Sequence, residues 1–235
     1  MFSLTWLGNS VRTQGVGERD LSSSPAVLVR DDSTRLAFLP AESTARAALV
    51  FICGSGIAAE AYAPLLRPLA GEGYPVFVVR LPYRFAPLES HKQKAIARAR
   101  QVMADHPEIR HWVIGGHSLG GALAARMARL DWESLSGLVL VATTHPKRDD
   151  LSSLPIPVTK IYATNDGVAP PDRVHANSGL LPPDTNWVAI DGGNHSQFGR
   201  YGHQLLDGEA TISREEQESF ARAALVDALS GAGRP

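Results

Sequence analysis

Ser118 stands in a Gly116-His117-Ser118-Leu119-Gly120 pentapeptide, after the apolar run Trp112-Val113-Ile114 and before an Ala- and Arg-rich stretch from Ala122 to Leu130. A serine on a sharp strand-to-helix turn is forced out of both elements and holds its Oγ above the sheet edge. Glycines two residues to either side let strand and helix pass closely without Cβ clashes. A serine hydroxyl is a weak nucleophile until a base takes its proton, and that base needs a third group to orient it. Two later segments offer such partners. Val158 to Tyr162 runs into Ala163-Thr164-Asn165-Asp166-Gly167, and Trp187 to Ile190 runs into Asp191-Gly192-Gly193-Asn194-His195. The chemistry these residue types suit is acyl transfer, with Ser118 as nucleophile, His195 as base and then acid, and Asp166 orienting the imidazole.

The elements that must position them follow from the apolar pattern. Ala47 to Cys53 reads as a buried strand, and Pro75 to Leu81, Trp112 to Gly115, Leu138 to Ala142, Val158 to Tyr162 and Trp187 to Ile190 as the other strands. Between and after them, Ala59 to Glu72 (interrupted by Pro64 and Pro68), Lys92 to Ala104, the stretch after Ser118 and Arg214 to Leu229 read as helices. Short continuous apolar strands separated by helices predict an α/β fold with a mostly parallel, doubly wound sheet and helices on both faces. Ala26 to Leu39 supplies one or two antiparallel edge strands. With no internal repeat or linker, residues 1–235 form one domain, with N-terminal edge strands in 1–46 and a core over about 47–229. In a parallel sheet the carboxyl ends of the strands share one edge, where ligands bind, so Ser118, Asp166 and His195 converge there. Two N–H donors are needed for the oxyanion. Leu119, at a helix N-terminus, supplies one, and the Gly54-Ser55-Gly56 loop the other, with Ser55 as first choice and Gly56 next.

Each of these residues also has a blander reading. Asp166 can be a turn-former before Gly167, since Asp favours turns for local reasons. Rival acids are Asp149, Asp150 and Asp191. His117 reads as packed in the turn. His145, at the same sheet edge, is a candidate pocket residue, as are Tyr83 and Arg84, an arginine being suited to a carboxylate or phosphate. His203 could cover the site, whereas His91, His106, His111 and His175 read as solvent-facing. Cys53, at the end of a buried strand, reads as a small hydrophobe. Gly54-Ser55-Gly56-Ile57-Ala58-Ala59 also fits a G-x-G-x-x-A dinucleotide string. That keeps an NADP-binding oxidoreductase as an alternative, with Arg80 in place of the usual acid, alongside a catalytically silent binding protein on the same fold.

The bulk numbers narrow the classes. At 235 residues and 44% hydrophobic content the chain can bury a full core. A net charge of −1 offers no basic footprint for nucleic acid. No apolar run approaches the length of a membrane span, about 18 residues, and no basic-then-apolar leader opens the chain. One cysteine precludes an internal disulfide, and the expected location is cytoplasmic. No histidine pair has metal-binding helical spacing with a carboxylate. The expectation is a small-molecule ester as substrate, with no cofactor and no metal.

The G-H-S-L-G elbow, the "YATNDGVAP" loop and the "GGNHSQFG" loop, spread over Ala47 to Leu229, resemble the α/β-hydrolases. Within them the chain is similar to the small, lidless, dienelactone-hydrolase-like members. Gln197 to Gln217, "QFGRYGHQLLDGEATISREEQ", resembles the region after the catalytic histidine in a bacterial branch of that family. The resemblance implies the α/β-hydrolase fold and a serine hydrolase, a carboxylesterase above all, in the family's order of nucleophile, acid and histidine. Two departures matter. Dienelactone hydrolases proper carry cysteine in the elbow where this chain has Ser118, which argues against their substrate. Many relatives begin the oxyanion loop with His-Gly, and this chain has Cys53-Gly54. In such hydrolases a lid is often inserted after the strand that follows the nucleophile helix. Here only Thr143 to Pro157 lies there, polar and proline-bearing, so an open site suited to short acyl esters is expected.

Overall fold

Ala47–Ile52 (β3), Val76–Val79 (β4) and Gly137–Val141 (β6) are buried at every position, as strands covered on both faces must be. The computed structural model describes residues 8–42 and 47–232. Its eight-stranded sheet is completed by Val27–Asp31 (β1), Arg35–Pro40 (β2), His111–His117 (β5), Val158–Ala163 (β7) and Asn186–Ile190 (β8), in the order β1-β2-β4-β3-β5-β6-β7-β8. The strands from β4 through β8 are parallel, and β1 and β2 are antiparallel. The partly exposed patterns of β1 and β8 mark the two edges. This is the α/β-hydrolase architecture in a single domain.

Apart from the short Glu18–Leu21 (α1), the helices divide between the faces. Ala63–Gly71 (α2) packs on the C-terminal helix, and Glu89–Ala104 (α3) on Leu119–Asp131 (α4). After the short Pro171–His175 (α5), the last helix Arg214–Ala232 (α6) runs across β3, β5, β6 and β7. Strand order reverses around β3, with β4 on one side and β5 on the other. The loops leaving β3 and β5 therefore flank a crevice at the carboxyl edge, the place where such sheets bind ligands.

The two prolines expected to interrupt the second helix do less. A 3-10 turn over Ala59–Tyr62 precedes α2, Pro64 sits in its first turn, where a missing N–H is harmless, and Pro68 lies within it. Arg222 of α6 donates to the carbonyls of Pro64 and Leu65. The acceptor that the absent Pro68 N–H leaves unpaired is thus satisfied from the neighbouring helix. Between β6 and β7, residues 142–157 contain no helix, in keeping with the expected lack of a lid there.

Candidate active site

The turn after β5 carries the strain expected of an elbow. Ser118 has φ 54° and ψ −117°, a conformation L residues rarely adopt, and its N–H is held by the Val141 carbonyl at 2.9 Å. A Cβ at Gly116 would collide with Gly120, and one at Gly120 with the Ile52 carbonyl, so both flanking glycines are dictated by close backbone passage. Ser118 is half-buried. It caps no helix with its side chain.

Asp166, after β7, and His195, after β8, meet directly: His195 Nδ1 lies 2.8 Å from Asp166 Oδ2, both side chains fully buried. The other Asp166 oxygen accepts the N–H groups of Val168 and Ala169 at 2.8 and 2.6 Å. The carboxylate is therefore a turn-former and a histidine partner at once. With Nδ1–H donated to Asp166, Nε2 is the free acceptor. It makes no hydrogen bond and is shut off from solvent. The His195 ring centroid is 4.6 Å from that of His117, the residue before Ser118. The three sequence-predicted residues thus gather at one edge, although Ser118 Oγ and His195 make no hydrogen bond. Although residues 142–157 carry no helix, His195 Nε2 is closed to water.

The rival acids have other partners. Asp149 pairs with Arg129 at 2.9 Å, Asp150 caps Ser152 N–H, and Asp191 accepts Thr164 Oγ1. His117 is packed in the turn as expected, and burial pushes its imidazole well below the usual range, with His195 adding to the effect. Its Nδ1 lies 2.9 Å from Tyr62 Oη, which also accepts the Gly54 N–H at 2.9 Å. The tyrosine hydroxyl thereby ties the loop after β3 to the elbow.

That loop requires a correction. The Gly56 N–H is donated to the Arg84 carbonyl at 2.9 Å, so it is not free for an oxyanion, and only Ser55 of the two candidates remains. Arg84 and Tyr83 also lie differently from a pocket-lining pair. The Arg84 guanidinium donates to the Val11 carbonyl and lines a separate cavity with Glu60 and Arg12, while Tyr83 is 77% exposed and leans on His91. Their left-handed backbone (φ 52° and 65°) turns both side chains away from the regular strand directions. His145 is half-buried in a pocket that Leu119 also lines. His203 is exposed and faces the Asp207 carbonyl. Burial pushes the Cys53 thiol up to about 12, consistent with an inert core residue. Arg80, the residue a 2′-phosphate would need, is paired with Asp31 and Glu60. The helix after the G-x-G-x-x-A string starts only at Ala63, so the dinucleotide reading loses its geometry.

Sequence reasoning missed Asp207. Its Oδ1 accepts the N–H groups of His195 (3.1 Å) and Gly167 (3.2 Å), and its Oδ2 accepts the N–H and Oγ of Ser196 (2.8 and 2.6 Å). One carboxylate thus holds the loops that carry Asp166 and His195 together. Gln217 clamps the Asn194 backbone through both amide atoms, and Arg214 donates to the Ser196 and Tyr201 carbonyls. All three lie in the Gln197 to Gln217 segment already singled out by resemblance, which was the available signal.

Residues 48–219 match the alpha/beta hydrolase family, and the chain belongs to it. No curated protein matches significantly. Among solved structures, a predicted CIB-like hydrolase from Thermoplasma acidophilum aligns with a TM-score of 0.65 at 13% identity, covering 87% of this chain and 99% of that one. Est1E from Butyrivibrio proteoclasticus gives 0.62 at 12% identity over 87% and 99%. The alpha/beta hydrolase enzyme MGS-MChE2, from a lagoon-sediment metagenome at Mar Chica, Morocco, gives 0.57 at 19% over 72% and 90%. At these identities the likeness is one of fold. Among the described residues no helix is long and apolar enough to cross a membrane, and no group of three or more metal-ligating side chains is assembled.

Proposed function

We propose that the protein is a serine carboxylesterase acting through an acyl-Ser118 intermediate. The observation that carries this reading is the buried Asp166–His195 pair, 2.8 Å apart, beside a serine held in an elbow conformation. His195 Nε2 takes the Ser118 hydroxyl proton as Oγ adds to the ester carbonyl, and Asp166 stabilises the resulting imidazolium. The tetrahedral oxyanion is met by the N–H groups of Leu119 and Ser55. Collapse breaks the C–O bond of the alcohol, which leaves with the proton from His195. Water, deprotonated by the same imidazole, then adds to the acyl-enzyme and releases the acid, restoring the Ser118 hydroxyl. No step calls for a cofactor or a metal. The test is covalent labelling by a fluorophosphonate. Wild type should label on Ser118, while Ser118→Ala should not label and should lose roughly 10³-fold or more in kcat with an unchanged melting temperature. Full activity in Ser118→Ala would overturn the assignment.

A further inference from the structure

Beside the elbow lies a pocket of about 350 Å³, walled on one side by Leu119, Ala122 and Leu123 from the first turns of α4. Lys92 and Arg126 reach it from the helices, and His145, Lys147, Arg148 and the acidic Asp149 from the β6–β7 connection. Its charge is one-sided. Four cations line it against one carboxylate, Asp149, which pairs with Arg129 outside the lining, while Glu89, also outside it, pairs with both Arg126 and Lys92. Lys147 and Arg148 are exposed, and neither forms an ion pair with a carboxylate among the described residues. This surplus of three sits in a chain whose net charge is −1, so it is a local concentration and not a property of the whole surface. Beneath the pocket, the fully buried Lys160 donates its Nζ to the His145 carbonyl. The His145 imidazole records the same field: burial first, then Lys147 and Lys160, pull it to about 4, so it is neutral near pH 7 and adds no charge of its own.

We infer that this pocket is a substrate subsite for a doubly charged oxyanion, a phosphate monoester being the simplest, carried by the part of the ester that lies beyond Leu119. The inference rests on the reading of Ser118 as nucleophile and narrows its substrate class. A single carboxylate would be matched by one arginine, whereas Lys147 and Arg148, both without a carboxylate partner and set beside Arg126, match a dianion. Arg126 is held in place by Glu89 and Arg148 has no carboxylate partner, which gives one preset and one adaptable guanidinium for the phosphate oxygens. The volume is at the small end of ligand pockets, enough for a phosphate and a short carbon stem. Leu119, one residue past Ser118, is the lining residue that joins the pocket to the elbow.

Phenyl phosphate, which offers no ester carbonyl, is the probe. By calorimetry it should bind wild type at least about 10-fold more tightly than benzyl alcohol, a difference of about 1.4 kcal/mol, and should inhibit p-nitrophenyl acetate hydrolysis competitively. Lys147→Gln/Arg148→Gln should weaken its binding about 10-fold or more. Arg30→Gln/Arg110→Gln, which removes the same charge from exposed positions away from the pocket, should leave it unchanged. Equal losses in the two double variants, or no preference over the alcohol, would overturn the inference, as would binding without competition in an enzyme that hydrolyses the acetate. Binding that obeys the variant pattern in a protein whose Ser118 takes no fluorophosphonate would uphold the anion site and refute the hydrolase reading instead.

Discussion

At the scale of single residues, the two Asp166 oxygens have different duties, one holding its own turn and the other His195. Asp166→Asn keeps the turn's oxygen but can present an amide to Nδ1, which disfavours the tautomer that leaves Nε2 free. A loss of roughly 10³- to 10⁴-fold in kcat is expected. Asp150→Asn, which disturbs only the local bond to Ser152, should stay near wild type. Steady-state kinetics of the two variants decide the acid, and a crippled Asp150→Asn beside an active Asp166→Asn would reassign it. Lys160 makes a prediction of a different kind. Burial lowers its ammonium from 10.5 to about 7, so between those values the unfolded lysine holds a proton that the folded one lacks. This site's contribution to stability then rises with pH, by at most about 1.4 kcal/mol per pH unit. Lys160→Met removes the penalty. Its stability advantage over wild type in urea unfolding should be greatest at pH 6 and shrink towards pH 10, and an advantage independent of pH would contradict the assignment.

At the scale of elements, the site is an agreement among loops. The segment leading into α6 reaches back to the loops after β7 and β8, and Asp207 is its main bond to both. Only glycine fits at 167, because a Cβ there would strike the Leu206 carbonyl, so the loops are in backbone contact. Asp207→Asn replaces one acceptor oxygen with an amide facing the N–H and hydroxyl of Ser196. The histidine loop should loosen while the sheet stays intact. We expect kcat and the rate of fluorophosphonate labelling to fall about 10-fold or more, with a loss of only a few degrees in melting temperature, order-of-magnitude effects of misplaced catalytic groups. Proportionate losses of stability and labelling would reduce Asp207 to a structural residue.

At the scale of the whole molecule, the β6–β7 connection carries no helix, so no lid wall from there lines the site. A long acyl chain would leave methylenes in water, each forgoing about 0.8 kcal/mol of burial. Acetyl and butyryl p-nitrophenyl esters should therefore exceed the palmitoyl ester in kcat/KM, and a palmitoyl preference would show an apolar wall supplied elsewhere.

How much of this could be read without the fold differs by residue. The alternation of apolar runs and helical stretches determined the parallel sheet, because strands buried on both faces must be continuously apolar. It also placed Ser118, Asp166 and His195 after three strands, the last of them the partly exposed edge strand β8, and a parallel sheet puts those loops on one edge. Ser55 and Gly56 were not separable that way, since adjacent residues in one loop share a composition signal. Only the approach of Arg84 from the loop after β4, 28 positions along the chain, takes the Gly56 N–H. Asp207, Tyr62 and the cationic pocket beside Leu119 are likewise products of long-range packing. Their partners come from separate segments of chain, and local pattern carries no information on which distant backbone or side chain will meet them. The sequence by itself determined the elements and offered the candidate reacting groups; the tertiary structure decided which donors stay free, what holds the histidine, and where positive charge gathers.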